Sequence, residues 1–433
     1  MHSLRHCGRS QIAWFAVMAA FGGSPQLVVA QTTHAFINGR WFDGAAFRRG
    51  DRYVVDGRFA TRRPSRIDRT TDLSGAFVVP PFGEAHTHNV ESSGFDAASR
   101  MHLAAGVFYV KNPNGLLRLT TPLAGRINVP GALDVSFAHG GLTGSDGHPI
   151  ALADRQITRG NWTTADGDGG FYWLIDDRNA LDAKWPKILA GRPDFIKTYL
   201  LYSEEYATRR TDTTYRNWRG LNPALLPEIV ARAHAAGLRV STHVETASDF
   251  RTAVAAGVDE INHLPGFRPD RDNLQSFATP ERYRLRDDDA RKAARARVVV
   301  VTTIGGIVEV LRQIPASSDQ APLAASTLEM LRENLRRLHR HGVRIAVGSD
   351  EYERSADFEA AQLDSLNVVD HLTLLKWWTE NTAATIFPNR RLGRLTSGYE
   401  ASFLVLGANP LVDFANTRKI TMRVKQGVVL PAP

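Results

Sequence analysis

The chain has 433 residues, 43% hydrophobic and 23% charged, a globular balance that excludes collagen-like, coiled-coil and largely disordered architectures. Its 53 Lys and Arg against 45 Asp and Glu give a net charge of +8, but the basic residues are spread without a long run, which argues against a nucleic-acid footprint. At roughly 150 residues per domain the length suggests about three units, and it equally fits one α/β barrel of about 250 residues with a smaller domain.

Arg5 and Arg9 precede the apolar run Ile12 to Phe21, and Val28-Val29-Ala30 places small residues before Gln31. That is the layout of an export signal over residues 1–30. The run is too short to span a bilayer, and no later stretch of about 18 apolar residues follows. The expectation is an exported protein, periplasmic or secreted, with no stable membrane insertion. The single cysteine, Cys7, falls inside the signal, so the mature chain would carry neither disulfide nor thiolate chemistry. A core of this size needs no such staple.

From Phe36 to about Ser74 the chain reads as short strands, with Asn-Gly and Asp-Gly in FINGRWFDG and Asp-Gly in YVVDGRFA as hairpin signals. After Gly398, ASFLVLG, KITMRVKQG and VVL read as strands too. The two flanks, residues 31–77 and 395–433, are expected to pair as one small β-sandwich built from both chain ends. Between them, over 78–394, apolar runs closing on polar or ionisable residues alternate with helix-like stretches. Eight such strands end near His88, Lys111, His139, Lys197, His243, His263, Thr303 and Asp350, the number that a (β/α)8 TIM-like barrel needs.

Ser326 followed by Glu329 predicts a capping box before LEMLRENLRRLHR, with Gly342 as its left-handed stop. PALLPEIVARAHAA, with Leu226, Ile229 and Ala233 at helical spacing, is expected to stop at Gly237 before the strand LRVSTH. The segment Gly140 to Gly191 is long and rich in Gly, Asp and Thr, and reads as a loop walling the barrel mouth. His234, His339 and His341 fall at helix C-terminal ends, where a dipole interaction is expected, and Trp377-Trp378 reads as helix packing.

In FVVPPFGEAHTHN, His86 and His88 stand two apart at a strand end, so alternation turns both imidazoles to one face, where they can hold a divalent cation. Four further strand ends carry a ligand type: Lys197 in DFIKTYL, His243 in LRVSTHVE, His263 in VDEINH and Asp350 in VRIAVGSD. Together with AVAAGVDEINH and the closing LGRLTSGYEASFLVLGANPL, this ordered set resembles the amidohydrolase superfamily, in its binuclear branch with imidazolonepropionase-like and Xaa-Pro dipeptidase-like members.

The resemblance implies that His86, His88 and Asp350 ligate the more buried metal, that His243 and His263 ligate the more exposed one, and that Lys197 bridges both as a carbamate. Zinc suits the imidazole-rich set best, with manganese, iron or cobalt as alternatives. Two cations sharing a water lower its pKa so that hydroxide forms near neutrality, with Asp350 as general base and then general acid. Three positions depart from the commoner pattern: Glu84 in place of Asp, Lys111 to Asn114 (KNPN) in place of Arg-Asp at the second strand end, and EASF near Ser402 in place of Ala-Asp.

His139, His148, Tyr199 and Tyr202 are candidate substrate contacts, as hydrogen-bond donors to an oxyanion or to the substrate. The expected activity is hydrolysis of a C–N bond in a small molecule, by an exported homo-oligomer. The same metal centre acting on esters, lactones or phosphotriesters is the alternative, and a non-catalytic ligand-binding barrel a further one.

Overall fold

The computed structural model describes residues 32–432. The expected export signal and Cys7 lie outside them. The N-terminal flank forms Thr33–Phe42 (β1), Phe47–Val55 (β2), Arg58–Phe59 (β3), Arg69–Asp72 (β4) and Phe77–Val79 (β5). The β1–β2 hairpin turns at Asp43-Gly44, where the Asp43 carboxylate accepts from the amides of Ala45 and Ala46. Asp56-Gly57 turns β2 into β3 with both residues at positive φ, as a type I′ turn requires. Asn38-Gly39, expected to be a third turn, is instead a bulge inside β1, where the pairing register shifts.

The barrel strands are Phe82–Glu84 (β6), Val107–Asn112 (β7), Asp134–Phe137 (β8), Phe195–Tyr199 (β11), Arg239–His243 (β12), Glu260–Asn262 (β13), Val299–Val301 (β14) and Arg344–Ala346 (β15), with Gly141–Thr143 (β9) and Tyr172–Leu174 (β10) between β8 and β11. Strands β6-β7-β8 and β11-β12-β13-β14-β15 run parallel in chain order, as βα units demand. The ring closes where Ala85 donates to Val347 (3.0 Å) and Asp350 to the His86 carbonyl (2.7 Å). On the other side Asp194 bridges β8 to β11 through Phe137, whose carbonyl accepts from the Asp194 amide and whose amide donates to its carboxylate, both at 2.8 Å. The (β/α)8 barrel expected from the sequence is therefore present, with its eight strands at the expected places.

The segment from Gly140 to Gly191 is more ordered than a loop. It carries β9 and β10, the helix Ile150–Thr158, and the helix Arg178–Ala190, whose N-terminus the Asp177 carboxylate caps. The capping box at Ser326 is a second correction. The helix runs Ala321–Arg340, started by Pro322, and Ser326 sits within it with its hydroxyl bonded back to the Leu323 carbonyl. Its predicted stop holds, since Gly342 follows at φ 75°. The helix Leu226–Ala235 likewise gives way to Gly237 at φ 73°.

After the barrel, Phe403–Leu406 (β16), Ile420–Lys425 (β17) and Val428–Val429 (β18) return to the N-terminal flank. Antiparallel pairing of β16 with β5 joins both chain ends in one eight-stranded sheet. Its inner face packs rings together: Phe36 on Phe403 at 4.9 Å, Trp41 on Phe403 at 5.2 Å and Trp41 on Phe59 at 6.1 Å. Trp378 packs as expected, stacked on Phe82 at 3.7 Å with its indole N–H donated to the Gly83 carbonyl.

Charge ties this sheet to the barrel. The buried Lys425 ammonium of β17 donates to Asp134 of β8 at 2.6 Å and to the carbonyls of Val129 and Ala132. Arg390 holds the other Asp134 oxygen at 2.7 Å and reaches Glu400. Lys425→Met should therefore lower unfolding free energy by about 3 kcal/mol in denaturant titration, because it strips a buried carboxylate of its closest cation. An unchanged midpoint would show that Arg390 alone neutralises Asp134.

Candidate metal centre

Lys197 lies within β11 and His243 ends β12, two residue pairs apart in the ladder: Lys197 opposite Ser241 and Tyr199 opposite His243. The other candidate ligands sit just beyond their strands. β6 stops at Glu84, so His86 and His88 stand on the extended chain after it rather than in the strand itself. His263 follows β13 directly at φ 92°, and Asp350 lies four residues past β15 at φ 57°. Left-handed backbone at such residues costs roughly 1–3 kcal/mol each and recurs where geometry serves chemistry.

These residues converge on a cavity of about 180 Å³ at the strands' C-terminal ends. His86 Nε2 and His88 Nε2 face each other at 3.2 Å, and Asp350 Oδ1 lies 3.5 and 3.2 Å from them. Across the cavity His263 Nε2 meets His243 Nδ1 at 2.9 Å, and Asp350 Oδ2 stands 4.0 Å from His263 Nδ1. Burial, with the charge of Lys197 among the further causes, holds His86, His243 and His263 well below the usual imidazole range. They are therefore neutral lone-pair donors near pH 7, and two facing lone pairs repel unless a proton or a cation lies between them. Neutral imidazoles around a carboxylate fit a divalent cation of the zinc type.

Lys197 is buried and donates to Asn262 Oδ1 at 2.8 Å. Burial pushes its amine down to about 7. Beside it the Lys111 ammonium donates to both oxygens of Glu260, at 2.7 and 2.8 Å. The unusual second-strand end thus faces the barrel interior and forms a buried ion pair. Glu84, the other departure, braces the site from behind. Its carboxyl, pushed up to about 8 by burial, accepts from the His86 amide and from the amide and hydroxyl of Ser349. Gly348 makes room for this seam, since a Cβ there would lie 2.8 Å from the His86 amide nitrogen.

Of the four candidate substrate contacts, His148 and Tyr199 line the cavity. The His148 ring stands 5.2 Å from His243 and 5.2 Å from Tyr199, and its buried Nδ1 has no partner among the described residues. His139 and Tyr202 do not reach it. His139 leaves β8 at φ 59°, stacks on Phe137 and faces Thr120. Tyr202 is buried between the guanidinium groups of Arg209 (3.6 Å) and Arg282 (4.6 Å), a packing role. Three of the four imidazoles are buried, His86 at 2%, His243 at 4% and His263 at 1% exposure, and His88 is 17% exposed.

Three lining or supporting residues escaped the sequence reading. Glu245 accepts from His243 Nε2 at 2.9 Å and orients that ring, and Arg268 binds the same carboxylate at 2.7 Å through Nε. Glu245 follows His243 by two residues, the spacing that drew attention to His86 and His88, whereas Arg268 sits on an irregular loop with no local signal. Tyr352 lies over the His88 ring at 6.0 Å.

The sequence model of the amidohydrolase family matches residues 203–430. Among curated proteins no significant match is found. Solved structures share the fold. A crystal structure of an amidohydrolase is 18% identical with a TM-score of 0.70, covering 93% of this chain and 100% of that one. A. niger ochratoxinase is 15% identical with a TM-score of 0.71, over 92% and 95% of the two chains. A Xaa-Pro dipeptidase with methionine in its active site is 16% identical with a TM-score of 0.67, over 92% and 99%. With the family model spanning more than half of its length, this chain belongs to the amidohydrolase family, hydrolases that act on carbon–nitrogen bonds.

Proposed function

We propose that the protein is an exported, metal-dependent amidohydrolase that cleaves an amide or peptide-like bond of a small molecule. The observation that carries this reading is the pair of facing imidazole pairs, His86/His88 and His243/His263, gathered round Asp350 and the buried Lys197 in one cavity. Names among the structures of like fold, Xaa-Pro dipeptidase, molinate hydrolase and phenylurea hydrolase B, support a C–N target without selecting a substrate.

In this reading His86, His88 and Asp350 would hold one divalent ion and His243 and His263 a second, with Lys197, as a carbamate, supplying the anionic ligand that an ammonium cannot. When bound, the ions, zinc by donor preference, supply Lewis acidity that polarises the amide oxygen and acidifies water. Asp350, whose carboxylate is 29% exposed and opens to the cavity, takes the proton of the attacking water and passes it to the leaving nitrogen. His148 and Tyr199 present donors to the substrate oxygen from the wall opposite Asp350's strand end. Glu245 and Arg268 fix the His243 ring, so little reorganisation accompanies reaction.

Metal content per chain, by mass spectrometry of protein purified without chelator, should be close to two. A value near one would return Lys197 to a structural role, and none after reconstitution with zinc and bicarbonate would overturn the metal reading. Asp350→Asn should keep the fold by circular dichroism while kcat falls about 100- to 10,000-fold; undiminished turnover would reject Asp350 as the proton carrier. Lys197→Ala should lower metal occupancy, and full occupancy in that variant would remove the bridge. In a paired hydrolysis screen, turnover of esters without amides would move the activity to the ester reading.

A further inference from the structure

The metal-centre cavity opens into a larger one of about 720 Å³, and the two share His88, Asn114, Leu152, Phe171 and Tyr352 in their walls. The inner cavity, about 180 Å³, has room for little beyond the scissile group, so most of a substrate must lie in the outer chamber. One wall of that chamber is the helix Ile150–Thr158 and its C-terminal residue Arg159. Leu152, Arg155, Gln156 and Arg159 repeat at helical spacing and line it together.

Charge in this chamber is unbalanced. Three arginines, Arg118, Arg155 and Arg159, face a single carboxylate, Glu91. Arg118 is spent on Asp166, through bonds of 2.6 and 2.9 Å. Arg155 and Arg159 have no carboxylate partner among the described residues, and the helix's own acid, Asp154, pairs with Arg216 at 2.7 Å outside the lining. The same chamber has an apolar lining beside the arginines: Trp162 lies against Phe171 at 4.8 Å, with Leu119 and Leu152 in the same cluster.

Resting on the amide-hydrolase reading above, we propose that Arg155 and Arg159 form an anion subsite, so that the preferred substrates carry a carboxylate, with an apolar or aromatic group beside it, distal to the scissile bond. A guanidinium offers a carboxylate paired donors in matching geometry, and the shared chamber places that carboxylate on the way out from His88. Carboxylate-bearing N-acyl amino acids and short peptides fit this description, whereas uncharged amides leave both guanidiniums unused.

The test compares hippuryl-phenylalanine with hippuryl-phenylalaninamide, which differ only in that charge. The metal-loaded wild type should favour the carboxylate about tenfold or more in kcat/KM, mainly through KM, and the preference should shrink as salt rises. The ratio should fall toward one in the double variant R155Q/R159Q. Equal rates for the two compounds in the wild type, or an undiminished ratio in the variant, would overturn the subsite. If neither compound is turned over, calorimetry with the same pair still decides. Tighter carboxylate binding that the variant abolishes sustains the subsite while the amide reading fails, and equal binding overturns the subsite.

Discussion

Of the two lysines buried in the barrel interior, Glu260 binds only Lys111, and the site is organised around that choice. Glu260 takes both hydrogen bonds of Lys111, one from Ser241 Oγ at 2.8 Å and one from Asn262 Nδ2 at 2.9 Å. Burial alone would raise the Glu260 carboxyl, but the Lys111 ammonium pulls it below its ordinary range. Lys197, two strands away, receives only the amide oxygen of Asn262. Burial disfavours its ammonium more than the nearby charges of Asp350 and Glu260 favour it, so the amine relaxes toward neutrality, down to about 7. A neutral amine is the form that combines with carbon dioxide. The KNPN strand end, which departs from the commoner family pattern, thus contributes the Lys111 charge that helps to lower the Lys197 amine.

The barrel's closure and the candidate ligands are built from the same residues. The seam between β15 and β6 is held by Glu84, which gathers donors from His86 and Ser349, the neighbours of both ends of the His86/Asp350 contact. Gly348 permits the approach, and the left-handed turn at Asp350 then aims its carboxylate back across the mouth toward three imidazoles. Strain in that turn is sustained because the seam on one side and the ring of strands on the other leave the residue no alternative path.

The sequence was most legible where a short-range pattern carried the structure. Apolar runs marked all eight barrel strands, and Gly237 and Gly342 marked helix ends, because each depends on neighbours within a few residues. The candidate residues that meet in the cavity were legible for a related reason: His243 and His263 close or directly follow their strands, His86, His88 and Asp350 stand a few residues beyond theirs, and Lys197 lies inside its strand. The failures were of other kinds. Ser326 and Glu329 match a capping box, but Pro322 offers an earlier start, and the hydroxyl was satisfied inside the helix. His139 stands at a strand end like the others, yet its left-handed backbone turns the ring onto Phe137. Tyr202 was drawn to two arginines far along the chain. Arg268 and the outer chamber depend on loop paths that no local periodicity encodes.

The segment between β8 and β11 divides the labour further. It supplies His148 to the inner cavity and, on the helix that follows and at its C-terminal end, Arg155 and Arg159 to the outer one. Its Ile150, Ala153, Phe171 and Tyr172 form, with Leu116 from the loop after β7, a small apolar cluster separate from the barrel's. Ion pairs fasten it at its margins, Arg118 to Asp166, Arg216 to Asp154 and Arg219 to Asp146. Only Arg216–Asp154 is exposed at both ends and contributes little, about 0–1 kcal/mol, whereas Asp166 and Arg219 are buried and anchor the segment. Because the segment's apolar cluster is apart from the barrel's, residues that would meet a substrate's distal half under the proposed reading can change while the strand ends keep their places.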